Sequence, residues 1–253
     1  MILRAAVVLL VGISSASHAW TLRATSLGGW ASSTITVQYN LAGCTRPTAE
    51  ILGMIDNAIA VWNVSQNSGL VLTRASAPTT ATAADVTALT ASPTPVFVCD
   101  TGFTANQSVD GNQIPALTRL GAVSSRIAFA GIVLNAESGK LADIGAMSAT
   151  QVSVAIAHEL GHALGLGHSG DSRALMYYSI AGKADSITTQ DDMDGIAYLY
   201  PRNEFAGGLY GCASVHGAPK PSSHFVWIYL AIFFVFNLTL GRLWIRLKSE
   251  PLL

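Results

Sequence analysis

The amino-acid sequence predicts an α+β domain, and the order of its periodic segments is the main reason. Segments with strand character and one helical segment come first, and two helical segments come late. Of the 253 residues, half are hydrophobic and 11 % are charged. This composition fits one or two domains with a sizeable core and excludes an intrinsically disordered chain.

The first elements are a strand, a helix and a second strand. Residues 34–39 are β-rich and alternate in polarity, which predicts a half-buried strand. In residues 47–63 the apolar side chains recur at helical spacing, which predicts an amphipathic helix packed on the sheet. Residues 70–74 predict a second, short strand.

The middle of the chain is predicted to hold a long loop and then more strands. Residues 75–95 are rich in Thr, Ala, Ser and Pro and have few bulky side chains, which is typical of a surface loop. Residues 117–135 carry β-branched and apolar residues interrupted by Gly121 and Gly131. We therefore expect two or three strands there.

The last elements are two helices. Ser148 and Gln151 have the S-x-x-Q spacing of a capping box, so a helix is predicted from there to Leu164. A final helix is predicted over residues 189–199, where an acidic pair lies in the first turn and Pro201 ends the helix. The sequence has no internal repeat. Residues 20–206 have a length that fits one domain, so one domain is predicted there.

The charges are distributed unevenly along the chain. Residues 20–206 hold nine Lys/Arg and fourteen Asp/Glu, a net charge of −5, whereas the two ends together hold five basic residues and one acid. A nucleic-acid-binding protein needs its Lys and Arg clustered on the folded domain, so this class is disfavoured. Basic, apolar ends instead indicate export and membrane attachment.

The amino-terminal end resembles an export signal. Residues 1–4 are a short positive region, residues 5–13 are apolar, and Ser17-His18-Ala19 has the small-x-small pattern of a cleavage site. A signal peptide over residues 1–19 is therefore predicted, with removal before Trp20. An uncleaved anchor is the alternative, but the apolar run is short for a membrane span.

The carboxy-terminal end predicts a membrane anchor. Residues 225–241 form an apolar stretch of 17 residues, so a transmembrane helix is predicted over residues 225–245. The basic tail, residues 246–253, then belongs on the cytoplasmic side, which places the domain outside, at the cell surface or in the periplasm. A buried core helix is the alternative.

Between the domain and this helix lies a Gly-, Pro- and Ser-rich segment, residues 207–224. Together with the helix and tail it resembles bacterial C-terminal sorting signals, in which processing near residues 207–212 would release the domain. A flexible stalk is the alternative. Cys212 is a candidate for lipidation or processing, or an unmodified stalk cysteine.

The chemistry lies in the sequence HELGHALGLGH, which begins at His158. On a helix, His158 and His162 project from one face about one turn apart, so both imidazoles can bind one metal ion. Glu159 points close to that face and is the natural general base for a metal-bound water. Gly165 allows the left-handed turn that ends the helix and brings His168 to the third ligand position. Three nitrogen ligands and one open position describe a catalytic zinc.

The positions of the other histidines support this interpretation. The chain has six histidines: the three of this motif, His18 in the predicted signal peptide, and His216 and His224 in the segment before the membrane helix. Every histidine of the predicted domain therefore lies within eleven residues. Core histidines placed only by packing would be scattered.

With these residues the sequence resembles the metzincin metallopeptidases, and among them the matrixin (matrix metalloproteinase-like) branch. Ser169, directly after the third histidine, is the residue that matrixins carry there. The sequence ALMY at residues 174–177 resembles the matrixin Met-turn, which makes Met176 the hydrophobic floor beneath the metal. Residues 189–200 resemble the last helix of the family. Residues 132–135 resemble the strand before the active-site helix in bacterial members, which suggests a bacterial source.

The resemblance implies a twisted, mixed five-stranded sheet, three helices and an extended cleft in which a peptide pairs with an edge strand. By position, that edge strand should lie within residues 117–129. Val154 would help to shape the pocket for the side chain that follows the scissile bond, together with the loop at residues 177–183. One catalytic zinc is implied, whereas no run of acids indicates a calcium site.

Two departures from the family pattern concern Tyr178 and the cysteines. Tyr178 stands where vertebrate matrixins have proline, and astacins and serralysins carry a metal-reaching tyrosine at that offset. It is a candidate fifth ligand or transition-state stabiliser, or an ordinary wall residue. Cys44 does not match a cysteine-switch propeptide. In an exported domain Cys44 and Cys99 are a candidate disulfide, and two buried thiols are the alternative.

These residues predict a zinc-dependent endopeptidase acting on extracytoplasmic proteins or peptides, with Glu159 as general base. Two other classes of protein remain open. One is a membrane-tethered module that keeps the zinc site and binds peptides without cutting them. The other is a zinc hydrolase that does not act on peptides, which the Met-turn disfavours. The sequence does not indicate an oligomeric state.

Overall fold

The computed structural model describes residues 19–65, 67–90 and 93–202. The predicted signal peptide, except for Ala19, lies outside these residues, as do the predicted stalk, membrane helix and basic tail. None of the helices within the described part of the chain is both long and apolar enough to cross a membrane. The predicted domain boundaries therefore stay predictions.

One mixed sheet of five strands forms the centre of the domain, with the strand order β2-β1-β3-β5-β4. The strands are β1 (Thr34–Asn40), β2 (Val71–Arg74), β3 (Val96–Asp100), β4 (Ala116–Val123) and β5 (Arg126–Asn135). The strands β1, β2, β3 and β5 run parallel to one another. The strand β4 lies at the edge and pairs antiparallel with β5. The α+β class with a mixed five-stranded sheet is confirmed.

Three long helices and two short ones accompany the sheet in the described residues. The helices are α1 (Thr48–Asn63), α2 (Ala83–Thr87), α3 (Phe103–Gln107), α4 (Ala149–Ala163) and α5 (Gln190–Leu199). The long helices begin and end within a few residues of the predicted bounds. Ser148 and Gln151 form the predicted capping box of α4, since each side chain pairs with the other's backbone N–H.

The surface loop predicted over residues 75–95 contains a short helix that the sequence did not predict. Thr82 and Asp85 form a second capping box, which begins α2. Val86, inside this short helix, is fully buried against the sheet. The segment is poor in bulky residues, but one buried valine and one cap are enough for a single turn and a half of helix.

Both faces of the sheet are covered, and this explains why β3 was not predicted. Phe97 lies in the larger hydrophobic cluster with α1 and α4, whereas Val96 and Val98 lie in a smaller cluster with Val86 and Phe103. A strand that is buried on both faces is hydrophobic throughout and does not alternate in polarity. The pattern that identified β1 is therefore absent from β3.

The turn between β4 and β5 lies at neither predicted glycine. Ser124 and Ser125 make it, with φ angles of 49° and 62°. Gly121 instead adjoins a shift in the β4–β5 register. Gly131 lies inside β5, where a side chain would collide with Val86 of α2. The glycines mark a bulge and a close approach rather than chain breaks.

Two buried tryptophans hold α4 in place. The indole Nε1 of Trp62 in α1 donates a hydrogen bond to the Ala157 carbonyl at 2.8 Å, and Nε1 of Trp30 donates to the Ala163 carbonyl at 2.9 Å. Both indoles are buried in the larger cluster. Since α4 is thus fixed at its middle and its end, its outer face is presented at a set position beside β4.

A disulfide joins Cys44, in the loop after β1, to Cys99 in β3, with the Cα atoms 5.2 Å apart. Fifty-five residues separate the two cysteines in the sequence. The bond therefore ties the first strand and the loop before α1 to the centre of the sheet.

Candidate metal centre and active site

The three predicted histidine ligands come together at the end of α4. His158 and His162 lie on α4 and are buried, whereas His168 is exposed on the loop that follows. Their nitrogen atoms all lie within 4.8 Å of one another. Gly165 has a φ angle of +110°, in the left-handed region that a side chain would strain. The chain therefore turns sharply after α4 and returns His168 to the helix.

Backbone carbonyls fix the orientation of two imidazoles. His158 Nδ1 lies 2.8 Å from the Leu175 carbonyl oxygen, and His162 Nδ1 lies 2.8 Å from that of Leu166. Because a carbonyl can only accept, each Nδ1 carries the proton and donates it, and each Nε2 keeps its lone pair. Burial lowers the pKa of His158 to about 4 and the pKa of His162 well below its ordinary value. Both rings are neutral at neutral pH, which is the form that binds metals.

The spacing of the nitrogens suits a zinc ion. His162 Nε2 and His168 Nε2 lie 3.2 Å apart. Two nitrogens bound at 2.0–2.1 Å to one tetrahedral ion would lie about 3.3 Å apart. Neutral imidazoles are also ligands that zinc accepts readily. The donor set therefore fits zinc in both chemistry and spacing.

Glu159 faces the same space from the neighbouring position of α4, and Thr118 of β4 holds it there. Thr118 Oγ1 lies 2.7 Å from Glu159 Oε2 and 2.9 Å from the Glu159 carbonyl oxygen. Burial raises the pKa of Glu159 to about 7, although the Thr118 hydrogen bond and the charge of Arg23 act in the opposite direction. A carboxyl group with this pKa can both accept and return a proton near neutral pH. Nothing in the spacing of residues 118 and 159 predicted this contact.

Met176 packs beneath the helix that carries the histidines. It is 1 % exposed. A Cβ atom at Gly161 would collide with Met176 Sδ and with the Trp62 ring. The Met176 side chain therefore fills the space beside Gly161, directly before His162, and a glycine is needed there for close packing.

Asp192, which the sequence marked only as part of an acidic helix start, anchors this turn. Its carboxylate accepts hydrogen bonds from the backbone N–H groups of Leu175 and Met176 at 2.8 and 2.9 Å. It also caps α5 by accepting from the N–H and hydroxyl of Thr189. The side chain is fully buried. Asp192 thereby fixes the Leu175 carbonyl that orients His158.

The segment that spans the predicted cleavage site, between Ala19 and Trp20, supports the third histidine. We call residues 19–28 the N-terminal segment. The Gly167 N–H donates to the Thr21 carbonyl at 2.8 Å, and the Arg23 N–H donates to the Gly165 carbonyl at 2.9 Å. Thr21 Oγ1 donates to the His168 carbonyl at 2.8 Å. The N-terminal segment therefore runs as an antiparallel strip along the loop that carries His168.

Asp191 joins the same segment to the last helix. Its Oδ1 accepts the backbone N–H groups of Ala19 and Trp20, both at 2.9 Å, and its Oδ2 accepts the Ser169 hydroxyl at 2.7 Å. Ser169, identified only by resemblance, thus connects the ligand loop to α5. The two neighbouring aspartates therefore serve different sides of the site.

A cleft with a cavity of about 520 Å³ lies beside the histidines. Its apolar lining includes Ile114, Leu117, Met147, Ala155 and Ile180. The predicted edge strand region, the loop after the Met-turn and α4 therefore all contribute to it.

Val154, which was predicted to help shape a substrate pocket, is 1 % exposed, lies in the core and is not among the residues that line this cavity. Ala155 and Gln151 line the cavity instead. They lie four and eight residues before Glu159, so the cavity follows the helix face of Glu159 rather than that of His158. Tyr178 also lines the cleft, but it is 68 % exposed.

Residues 29–201 match the model of the matrixin family of peptidases. The chain is 56 % identical to Metalloendoproteinase 1 of Glycine max over 52 residues, which cover 20 % of this chain and 17 % of that protein. It is 52 % identical over 52 residues to Metalloendoproteinase 2-MMP of Arabidopsis thaliana, covering 20 % and 14 %. It is 52 % identical over 48 residues to the interstitial collagenase of Sus scrofa, covering 19 % and 10 %.

These alignments span less than a fifth of the length of each of the three relatives. The relatives come from plants and a mammal, so they do not support the bacterial source that the sequence suggested.

Proposed function

Because this chain belongs to the matrixin family, we propose that it is a zinc-dependent endopeptidase that hydrolyses proteins outside the cytoplasm, with Glu159 as general base. The observation that carries the proposal is the meeting of three neutral imidazoles and one carboxyl group in a cleft beside an edge strand. A structural metal site would have a fourth protein ligand, whereas the cluster of possible metal ligands among the described residues supplies three histidines.

His158, His162 and His168 would hold the zinc ion. When bound by three imidazoles with one position open, zinc lowers the pKa of water to about 7 and polarises a carbonyl group. The carbonyls of Leu175 and Leu166 keep two of the rings in the tautomer that this binding requires.

Glu159 carries the proton during peptide hydrolysis. Thr118 occupies Oε2, so we assign the transferred proton to Oε1. The carboxylate accepts the proton as water attacks the peptide carbonyl, and the carboxylic acid gives it to the departing amine. Burial raises the pKa of Glu159 in the metal-free chain, so protonation of the carboxylate is easier there than in water.

The substrate lies along β4. This strand has one edge unpaired in the described sheet, and an extended peptide can add to it by backbone hydrogen bonds. The apolar cavity beside Glu159 then receives one hydrophobic side chain of the peptide. Its lining by Leu117, Ala155 and Ile180 favours such a residue after the scissile bond.

Tyr178 lies at the mouth of this cleft. The exposure of its ring favours a wall residue over a fifth ligand or an oxyanion stabiliser. A Tyr178→Phe variant tests these roles. If the hydroxyl bound the metal or stabilised the oxyanion, kcat would fall while KM stayed unchanged, whereas a wall residue would leave kcat unchanged.

Export is part of the proposal. A disulfide between Cys44 and Cys99 is typical of an oxidising compartment, and the predicted signal peptide would deliver the domain there. Attachment by a helix over residues 225–245 stays a prediction.

Cleavage of a peptide library by the full chain tests the function. We expect a zinc chelator to stop cleavage and added Zn²⁺ to restore it. Glu159→Gln should bind one zinc per chain and lower kcat by a factor of about 10² to 10⁴, the range for loss of a general base. Glu50→Gln, which changes an exposed carboxylate paired with Arg46, is the matched control.

Three results would count against the proposal. If the full chain bound no zinc, the proposed metal site would be wrong. If Glu159→Gln cleaved as well as the parent, the assignment of Glu159 as general base would be wrong. A chain that bound zinc and peptides but cut none would be the non-catalytic binding module.

A further inference from the structure

A second groove, with a cavity of about 420 Å³, continues from the catalytic cleft along β4. Arg23 and Thr118 line both cavities, so the groove and the cleft are neighbours. Arg119 adds a second guanidinium group, and Leu120 and Ala122 of β4 add apolar contacts. No Asp or Glu is among the residues that line this groove.

The positive charge of this groove is not neutralised by the described residues. Among the described residues, the cationic side chains that form ion pairs all lie outside this groove, namely Arg46, Arg74, Lys140 and Arg173. Arg23 and Arg119 are not among them. Arg119 donates hydrogen bonds to the neutral side chain and the carbonyl of Gln107 at 3.1 and 3.2 Å.

Arg23 is held where the two cavities meet. Its backbone N–H donates to the Gly165 carbonyl at 2.9 Å, and Leu22 pairs with Leu166 in an antiparallel bridge. Its side chain is exposed to the groove.

The direction of β4 gives the part of the substrate that meets this groove. A peptide added antiparallel to β4 places its N-terminal residues opposite the C-terminal half of that strand. Thr118 marks the site of cleavage, because it holds Glu159. Leu120 and Ala122 follow it by two and four residues. The groove therefore faces peptide residues roughly two to four positions before the bond that is cut.

We propose that Arg23, with Arg119 beside it, is a specificity-determining residue that binds an acidic side chain of the substrate about two to four residues before the scissile bond. The proposal rests on the endopeptidase function proposed above. An Arg guanidinium can bind a carboxylate through two parallel N–H groups, and the groove offers the peptide no competing carboxylate.

Paired peptide substrates test this proposal in the zinc-loaded full chain. Each pair has Glu or Gln at the second, third or fourth residue before the cleaved bond, and mass spectrometry locates the cut. In the parent we expect kcat/KM to favour Glu over Gln about fivefold at one of these positions, the size of a partly exposed ion pair. Arg23→Gln should bring this ratio close to one, Arg23→Lys should keep most of it, and Arg23→Glu should reverse it.

The ratio separates substrate binding from an effect of Arg23 on Glu159, because a change in the general base alters both peptides of a pair equally. Arg74→Gln is the matched control, since it removes the same charge from β2, at the opposite edge of the sheet. It should leave the ratio unchanged.

The proposal is overturned if the parent cuts the Glu and Gln peptides equally at all three positions. It is also overturned if Arg23→Gln keeps the parent ratio, or if Arg74→Gln lowers the ratio as much as Arg23→Gln does. Cleavage without a preference for Glu leaves the endopeptidase function intact. A parent that cuts none of the peptides contradicts both proposals.

Discussion

The pKa of Glu159 is set by two opposing causes. Burial raises it, and the hydrogen bond from Thr118 and the charge of Arg23 lower it, with a net value of about 7 against an ordinary value of 4.5. In the metal-free chain, a folded-state pKa above the unfolded one means that the ionised carboxylate is better solvated after unfolding. Its contribution to stability is therefore present below pH 4.5 and is lost as the pH rises through 7.

Glu159→Gln should therefore stabilise the metal-free chain at pH 8 by up to about 3 kcal/mol and have little effect at pH 4. The neutral amide has nothing to ionise in the buried position. Urea unfolding of the chelator-treated full chain at the two pH values measures the difference. The lowered pKa values of the histidines act on parent and variant alike, so they cancel. Equal stability of both proteins at pH 8 would disprove the expected desolvation of Glu159.

Substitution of Asp192 should also change the metal site, although Asp192 is not one of the proposed ligands. Asn has one acceptor oxygen in place of two, so Asp192→Asn leaves a buried N–H of Leu175, Met176 or Thr189 unpaired. We expect a loss of about 1–3 kcal/mol in the free energy of unfolding and a zinc affinity lower by a factor of about 10 to 100. Chemical unfolding and competition with a zinc indicator measure the two effects.

Asp194→Asn is the control, because Asp194 lies on the same helix and accepts only from the exposed Gln190 side chain. If both variants bound zinc equally well, the Met-turn would not depend on Asp192.

For single residues, the sequence predicted the three histidines that could bind a metal but not the residues that position the site. His158, His162 and His168 lie within eleven residues, so helical geometry alone brings them together. Thr118 and Asp192 reach the site across 41 and 17 residues of sequence through the packing of β4 and α5. No local pattern records such a contact.

At the scale of the elements, the helices α4 and α1 each contain a glycine, and the two glycines lie in different surroundings. Gly161 of α4 faces Met176 and the rigid, hydrogen-bonded ring of Trp62. Gly53 of α1 is exposed, and a Cβ atom there would meet nothing within 4 Å. The same substitution should therefore have opposite effects at the two positions.

Gly161→Ala should destabilise the protein by about 1–3 kcal/mol, because the added methyl group overpacks the contact between α4, α1 and the Met-turn. Gly53→Ala should stabilise it by about 0.5–1 kcal/mol through helix propensity. Thermal unfolding of both variants beside the parent measures this. A Gly161→Ala variant as stable as Gly53→Ala would show that Met176 is free to move away.

Long elements were predicted well and short ones poorly. The helices α1, α4 and α5 carry clear periodicity, caps or stop signals over ten or more residues. The strand β3 and the helix α3 have only five residues each, and β3 is buried on both faces. Five residues offer too few positions to show a period, so only tertiary packing determines these elements.

Across the whole molecule, the Cys44–Cys99 disulfide is the longest covalent constraint among the described residues. It closes a loop that contains α1, β2 and α2, with a sequence separation of 55. Most of its effect on stability should come from the restricted unfolded chain, because the loop is long.

Replacing both cysteines by serine should lower the free energy of unfolding by about 4 kcal/mol. Cleavage by the folded variant should be unchanged, since neither cysteine lines the catalytic cleft. Unfolding in urea and peptide cleavage below the transition test the two parts separately. If the double variant unfolded at the same urea concentration as the parent, the bond would not constrain the chain in solution.

The N-terminal segment places a charged side chain beside the cleft from outside the region that the family model matches. Residues 19–28 precede the region that the family model matches, yet Thr21 and Arg23 contact the loop of the third ligand. Arg23 contacts the loop through its backbone N–H alone, at the Gly165 carbonyl, so a substitution of its side chain leaves this hydrogen bond in place. Mutation can therefore alter the charge beside the cleft while the histidines, the general base and their supports keep their sequence. Under the proposed function, part of the charge that a substrate meets therefore comes from outside the region that the family model matches.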